Sequence, residues 1–258
     1  MRASLQGLVT LATIAGVLCL LLGWFGSLHP AFDSFSTFRL WFAAGVLVLL
    51  VPCFWTSRRV FMIAVLALLT SAILTLPHWP GLKRGWAVEN AHIGKPRLRV
   101  LQANLLFSLD INRDGERIIR DAAADVLLLQ EVSARNEPFL DRLADQYPHQ
   151  VNCRASRFHS VAILSRLEFA PNTPIRCNDF GGLASAQIVF NNITAINVAS
   201  FHARWPWPLN QHQQITALAG DFETLKGPTI VAGDFNATPW SHGPSRIGHL
   251  SGTQVPAG

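Results

Sequence analysis

The chain has 258 residues, half of them hydrophobic, and a formal net charge of +5. That apolar content is too high for an ordinary soluble domain. From Gly81 onward 17 Lys and Arg stand against 15 Asp and Glu, a difference of +2, so this part lacks the basic excess that would single out nucleic acid as its partner.

The apolar excess sits at the front. Residues 8–26 (LVTLATIAGVLCLLLGWFG), 40–55 (LWFAAGVLVLLVPCFW) and 60–76 (VFMIAVLALLTSAILTL) carry no charge. Each is near the roughly 17–25 residues that cross a bilayer. They predict a membrane region over 1–76 with transmembrane helices at about 8–26, 38–55 and 60–76. A signal peptide competes for the first run, but two more apolar runs follow and no small-x-small cleavage site is evident. "TSRR" places Arg58 and Arg59 between the second and third spans, whereas Asp33 and Arg39 cancel in the loop before. The positive-inside rule then puts the N-terminus in the cytoplasm and everything after Leu76 outside, so the bilayer is the first expected partner. No protein partner is evident.

Residues 77–97 (PHWPGLKRGWAVENAHIGKPR) lack periodicity and read as a linker. Trp79 and Trp86 suit a headgroup region, and Lys83 and Arg84 suit anionic lipid, though a plain linker reads the same way. Residues 98–258 have the composition of one globular domain. Cys19 and Cys53 fall in spans. Cys153 and Cys177 fall in the domain without CxxC spacing, and an extracytoplasmic location would let them pair.

Strands are expected at 98–103, 125–130, 160–165, 184–190, 193–200 and 229–233, with "NN" at 191–192 turning one strand into the next. Helices are expected at 113–123, 136–146 and 210–225, the last stopped by Gly227-Pro228. Hairpins mixed with helical crossovers imply mixed sheets.

Four apolar strands end on polar groups. "LRVLQAN" ends on Asn104, "DVLLLQE" on Glu131, "NVASFH" on His202, and "TIVAGDFN" on Asp234 and Asn236. One such ending is ordinary turn chemistry. Four fit a site where strand ends converge. The residue types suit transfer of a phosphoryl group to water. Glu131 offers a hard oxygen ligand and Asn104 a carbonyl oxygen for Mg²⁺ or Mn²⁺. Asp234 can orient the attacking water, Asn236 can donate to a phosphoryl oxygen, and His202 can donate a proton or hydrogen bond.

The ordered segments "QAN", "LLLQE", "SVAILSR" and "GDFNATPW" resemble the endonuclease/exonuclease/phosphatase superfamily, of the DNase I-like type. With spans ahead of it, the chain is similar to a membrane-anchored bacterial subgroup. The resemblance covers about residues 97–245. It implies a four-layer α/β sandwich, two mixed sheets flanked by helices, in a bacterial inner or plasma membrane. It implies a metal-dependent phosphodiesterase or nuclease-like hydrolase, with nucleic acid and phospholipid both open as substrates. It assigns Asn104 and Glu131 to the metal site, Asp234 and Asn236 to the "GD-x-N" motif, and His202 to a catalytic histidine. The family also closes on an Asp-His pair, which residues 237–258 do not supply; neither His242 nor His249 stands in that context. The domain is therefore expected to be C-terminally incomplete, with an open sheet edge. The alternative expectation is a membrane-anchored domain that binds but does not hydrolyse. Asn104, Glu131, Asp234 and Asn236 are expected in one pocket, with His202 on its rim.

Overall fold

The computed structural model describes residues 2–78, 96–111, 113–154, 160–178, 181–191 and 194–256. The linker tryptophans and Lys83 and Arg84 lie outside the described residues, as does Asn192 of the "NN" turn.

Three long helices come first: α1 (Arg2–Leu22), α3 (Arg39–Thr56) and α4 (Arg58–Thr75), with a short α2 (Pro30–Thr37) between the first two. All three are long and apolar enough to cross a membrane. They meet through small side chains. Ala64 and Ala67 are buried with Val17, Leu20 and Val46, and a Cβ on Gly16 would stand 2.6 Å from Val46 Cγ2. Close backbone approach of this kind is how helices associate in lipid. Large side chains such as Leu11, Trp41 and Trp55 face outward, at 66, 78 and 72% exposure.

Two boundaries differ from expectation. The first helix stops at Leu22, where Trp24 and Phe25 donate to carbonyls three residues back and tighten the chain; Gly23 there lies against the backbone of Phe35 and Ser36. The "TSRR" loop shrinks to Ser57, whose hydroxyl accepts from Val60 N as an N-cap, so Arg58 and Arg59 lie in the first turn of α4.

The remaining elements are β1 (Val100–Asn104), α5 (Arg113–Asp121), β2 (Val126–Gln130), α6 (Glu137–Arg142), β3 (His149–Cys153), β4 (Val161–Ser165), β5 (Arg176–Cys177), β6 (Leu183–Phe190), β7 (Thr194–His202), α7 (Gln211–Ala217), α8 (Ala219–Glu223), β8 (Thr229–Asp234) and α9 (His242–Ser251). One sheet has the order β1-β2-β4-β3 and the other β5-β6-β7-β8. β1/β2 and β7/β8 are parallel, and the other pairs are antiparallel. Both sheets are therefore mixed.

Strand alternation builds the layers. Val126 and Leu128 of β2 face the other sheet and meet Ala186 and Val198. Leu127 and Leu129 face outward onto Phe139, Leu140 and Leu143. On the far side Phe201 packs under Ile215 of α7, Leu218 at the junction and Phe222 of α8. The result is the expected four-layer sandwich. β2 is buried on both faces, which is why its sequence is a continuous apolar run rather than an alternating one.

β3 and β5 escaped the sequence reading. "HQVNC" is mostly polar because β3 is an edge strand, and β5 has only two residues. Cys153 and Cys177 join these two edges as a disulfide with Cα atoms 5.3 Å apart. It staples one sheet to the other, and closure of a loop this size contributes about 2–4 kcal/mol. α6 ends four residues early, since Leu143, Ala144 and Gln146 donate to carbonyls three residues back and tighten the chain. The expected helix over 210–225 breaks once, at Leu218, into α7 and α8.

α2 meets the sandwich. The Asp33 carboxylate accepts from the backbone N–H groups of His242 (2.6 Å) and Gly243 (3.0 Å). These are orphan donors at the start of α9, where a carboxylate also complements the helix dipole. Trp240 Nε1 donates to Ser36 O (3.0 Å), and Ser34 Oγ donates to Trp207 O (2.9 Å).

Candidate active site

Two parallel pairs end side by side. Asn104 is register partner of Gln130 in one sheet, and His202 is partner of Asp234 in the other. β2 touches both β7 and β8, and β1 touches β8, so the four strand ends open on one edge. This is the convergence that the four polar endings suggested.

Glu131 leaves β2 with φ 55°. A non-glycine residue in that region needs support from its surroundings. Asn136 supplies it, donating from Nδ2 to Glu131 O (3.2 Å) and accepting Ser133 N–H on Oδ1 (2.6 Å). The turn aims the Glu131 carboxylate back over β1. There Oε1 accepts from Asn104 Nδ2 (2.8 Å) and Oε2 from Phe107 N (3.0 Å).

Asn104 Nδ2 also donates to Asp234 Oδ2 (3.0 Å). One amide thus bridges two carboxylates from opposite sheets. Asn104 Oδ1 accepts Leu106 N–H (2.9 Å), so the amide oxygen faces the backbone and the amide nitrogen faces the acids. In this arrangement Asn104 sets the spacing of the carboxylates and does not point its oxygen at them.

Asp234 serves two purposes. Its Oδ1 accepts Asn236 N–H (2.9 Å), the Asx turn that the motif permits, while Oδ2 faces Asn104. Phe235 turns into the core between them. Asn236 bends away at φ 46° and donates from Nδ2 to Ala203 O (2.7 Å), one residue past His202. It ties the exits of β7 and β8 together.

His202 is not on the rim. It is 4% exposed, with Nε2 3.7 Å from Glu131 Oε1, beyond direct hydrogen-bond distance. Gln214 fixes the backbone beneath it, donating from Nε2 to His202 O (3.0 Å) and accepting Arg204 N–H (2.7 Å). Ligand atoms of Glu131, His202 and Asp234 lie within 4.8 Å of one another. A cavity of about 900 Å³, lined by His78, Trp240 and residues of α9, holds none of these groups.

Beneath the site a polar chain, buried at Gln130 and Ser200, crosses between sheets. Gln102 Nε2 donates to Gln130 Oε1 (2.5 Å), Gln130 Nε2 to Ser200 Oγ (2.9 Å), and Ser200 Oγ to Leu129 O (2.9 Å). Gln130, Ser200, Asn136 and Gln214 were missed in the sequence. The only signal was polarity inside or beside apolar runs, which does not name a partner.

A model of the endonuclease/exonuclease/phosphatase family matches residues 101–254, more than half of the chain. The chain belongs to the endonuclease/exonuclease/phosphatase family. No curated protein sequence matches it. Among solved structures it is similar to an endonuclease/exonuclease/phosphatase protein from Beutenbergia cavernae DSM 12333, at 18% identity and TM-score 0.42, over 60% of this chain and 53% of that one. It is also similar to a humanized D. rerio TDP2 carrying 14 mutations, at 20% identity and TM-score 0.45, over 60% and 71%. A third is the human Nocturnin catalytic domain with bound sulfate, at 18% identity and TM-score 0.40, over 60% and 70%. The chain thus spans about half the length of the Beutenbergia cavernae protein. Family members hydrolyse phosphodiester and phosphoester bonds, usually with a divalent metal.

Proposed function

We propose that this chain is a membrane-anchored, Mg²⁺-dependent hydrolase of phosphodiester or phosphoester bonds, with its catalytic domain outside the cytoplasm. The observation that carries this reading is the meeting of Glu131, His202 and Asp234 from three separate strand ends. Two carboxylates held together by one amide suit a hard divalent cation, which takes one or two carboxylates and keeps several waters. The imidazole beside them extends the choice to Mn²⁺. Glu131 and Asp234 would hold the ion, with Asn104 fixing their separation. When bound, it supplies charge neutralisation at the phosphate and at the leaving oxygen. Asp234 orients the attacking water and takes up its proton. His202 donates from its ring to a phosphoryl oxygen as charge builds there. Asn236 holds β7 and β8 in register around the reacting centre.

The test uses the full chain in nanodiscs. Titration with Mn²⁺, followed by water relaxation, should show one strong site, and Mg²⁺ should support hydrolysis of bis(p-nitrophenyl) phosphate. Glu131→Gln keeps the shape and removes a charged ligand, so Mn²⁺ affinity should fall about tenfold or more, the loss of at least ~1.4 kcal/mol. Unchanged affinity in that variant would defeat the metal assignment. The alternative reading is phosphate binding without turnover. Metal binding with no hydrolysis would decide for it.

Orientation has its own test. Leu74 of α4 and His78 just beyond it line one cavity with Gly23, Trp24 and, from the sandwich side, Trp240, and Ser57 lies at the other end of α4. The Cys153–Cys177 disulfide suits an oxidising compartment. A periplasmic phosphatase reporter fused after Gly81 should be active, and one at Ser57 silent. The reverse pattern would invert the topology.

A further inference from the structure

The loops that leave the site are apolar and exposed. Between β7 and α7, Trp205, Trp207 and Leu209 are 58, 53 and 59% exposed. After β1, Leu106 and Leu109 are also exposed. Exposed large apolar groups clustered around a polar site mark a contact surface rather than a stable boundary with water.

The position of these loops names what covers them. α2 links α1 to α3, so it lies where the membrane helices emerge. Trp207 O accepts from Ser34 of α2. Trp240 and the start of α9, which follow Asp234, are bonded to Ser36 and Asp33. The segments that follow β7 and β8 are therefore the ones held against the ends of the spans. Trp24 and Leu28, on either side of Gly26 beyond the end of α1, are exposed, and Gly26 lines one cavity with Trp207. Tryptophans gathered at one depth are the mark of a headgroup belt. His202 and Trp207 are five residues apart, at most about 17 Å of extended chain.

We infer that the tryptophan loop after β7 rests in the bilayer and that the substrate is a phosphoester carried on a lipid headgroup in that same leaflet. This rests on the hydrolase reading above. Water's oxygen bonds to phosphorus, and the P–O ester bond breaks with its electron pair on the leaving oxygen, which then takes a proton. A soluble polyanion gains nothing from this arrangement. The lipid's chains remain in the membrane while its phosphate rises to the edge where Glu131, His202 and Asp234 meet.

The test compares two esters with the same reacting group, hexadecyl p-nitrophenyl phosphate and methyl p-nitrophenyl phosphate. Both are given with Mg²⁺ to the full chain in phosphatidylcholine nanodiscs, and p-nitrophenolate release is followed. The hexadecyl ester should be hydrolysed faster. In Trp205→Ser/Trp207→Ser/Leu209→Ser the ratio of hexadecyl to methyl rates should fall about tenfold. The membrane helices still hold that variant in the disc, so simple partitioning of the ester cannot account for the change. Its methyl-ester rate reports whether the site has survived, and Trp205→Phe/Trp207→Phe, which stays apolar, should keep the ratio. Equal rates on the two esters, or a ratio that the serine variant leaves alone, would overturn the lipid assignment and leave the hydrolase standing. Preferential cleavage of a single-stranded oligonucleotide would also overturn it. Hydrolysis of neither ester would defeat the hydrolase reading and this inference together.

Discussion

Asp234→Asn is expected to lower hydrolysis of bis(p-nitrophenyl) phosphate by about 10²–10⁴-fold, the range associated with losing a positioned acid or base. The substitution keeps size and shape. Both Asp234 oxygens act as acceptors, one for Asn236 N–H and one for Asn104 Nδ2. An asparagine has one acceptor and one donor there, so one of these bonds becomes donor against donor. Either the Asx turn opens or the amide bridge to Glu131 loosens. The fold should survive, because the core beneath β8 is built by Phe201, Phe222 and Phe235 and not by this side chain. Steady-state rates alongside thermal unfolding would measure both halves. A variant that kept about a tenth or more of the original rate would remove Asp234 from the chemistry.

Gly233→Ala should act on stability. Gly233 is the register partner of Phe201, and a Cβ placed on it would overlap the Phe201 carbonyl oxygen. That neighbour is backbone, so no side chain can swing aside. Relief requires β8 to move off β7, which breaks the parallel ladder and carries Asp234 away from His202. Overpacking of this kind costs about 3 kcal/mol. Gly227 provides the contrast. It has φ 86° but open space around its missing Cβ. Gly227→Ala should cost only about 1 kcal/mol, from backbone strain. Melting temperatures of the two variants would report the difference. Equal losses would show that the contact with Phe201 is not the cause.

Much of the domain was readable because its central strands are buried. β2 and β4 are continuous apolar runs, and burial on both faces demands that composition whatever the neighbours are. The edge strands β3 and β5 carry no such demand and were invisible. The candidate site was legible as a set of strand endings, but its internal geometry was not. Nothing local to "LLLQE" says that Glu131 turns back over β1. That depends on Asn136 and Ser160, which reach it from later in the chain. His202 read as a rim residue because the strand before it ends at a loop. Gly182, Gln214 and the parallel partner β8 are what bury it.

The sequence by itself determined three apolar helices, the alternation of strands and helices, and the order of the polar groups that close four strands. Each depends on a periodicity or a terminus within about twenty residues, where side-chain direction follows from the local backbone alone. Only the tertiary structure decided which endings meet, which amide bridges which acids, and where the sandwich meets the apolar helices. Asp33 holds α9 across more than two hundred residues, and Asn104 reaches Asp234 across 130. Such contacts leave no local trace, because their partners are chosen by the packing of the two sheets and not by the residues on either side.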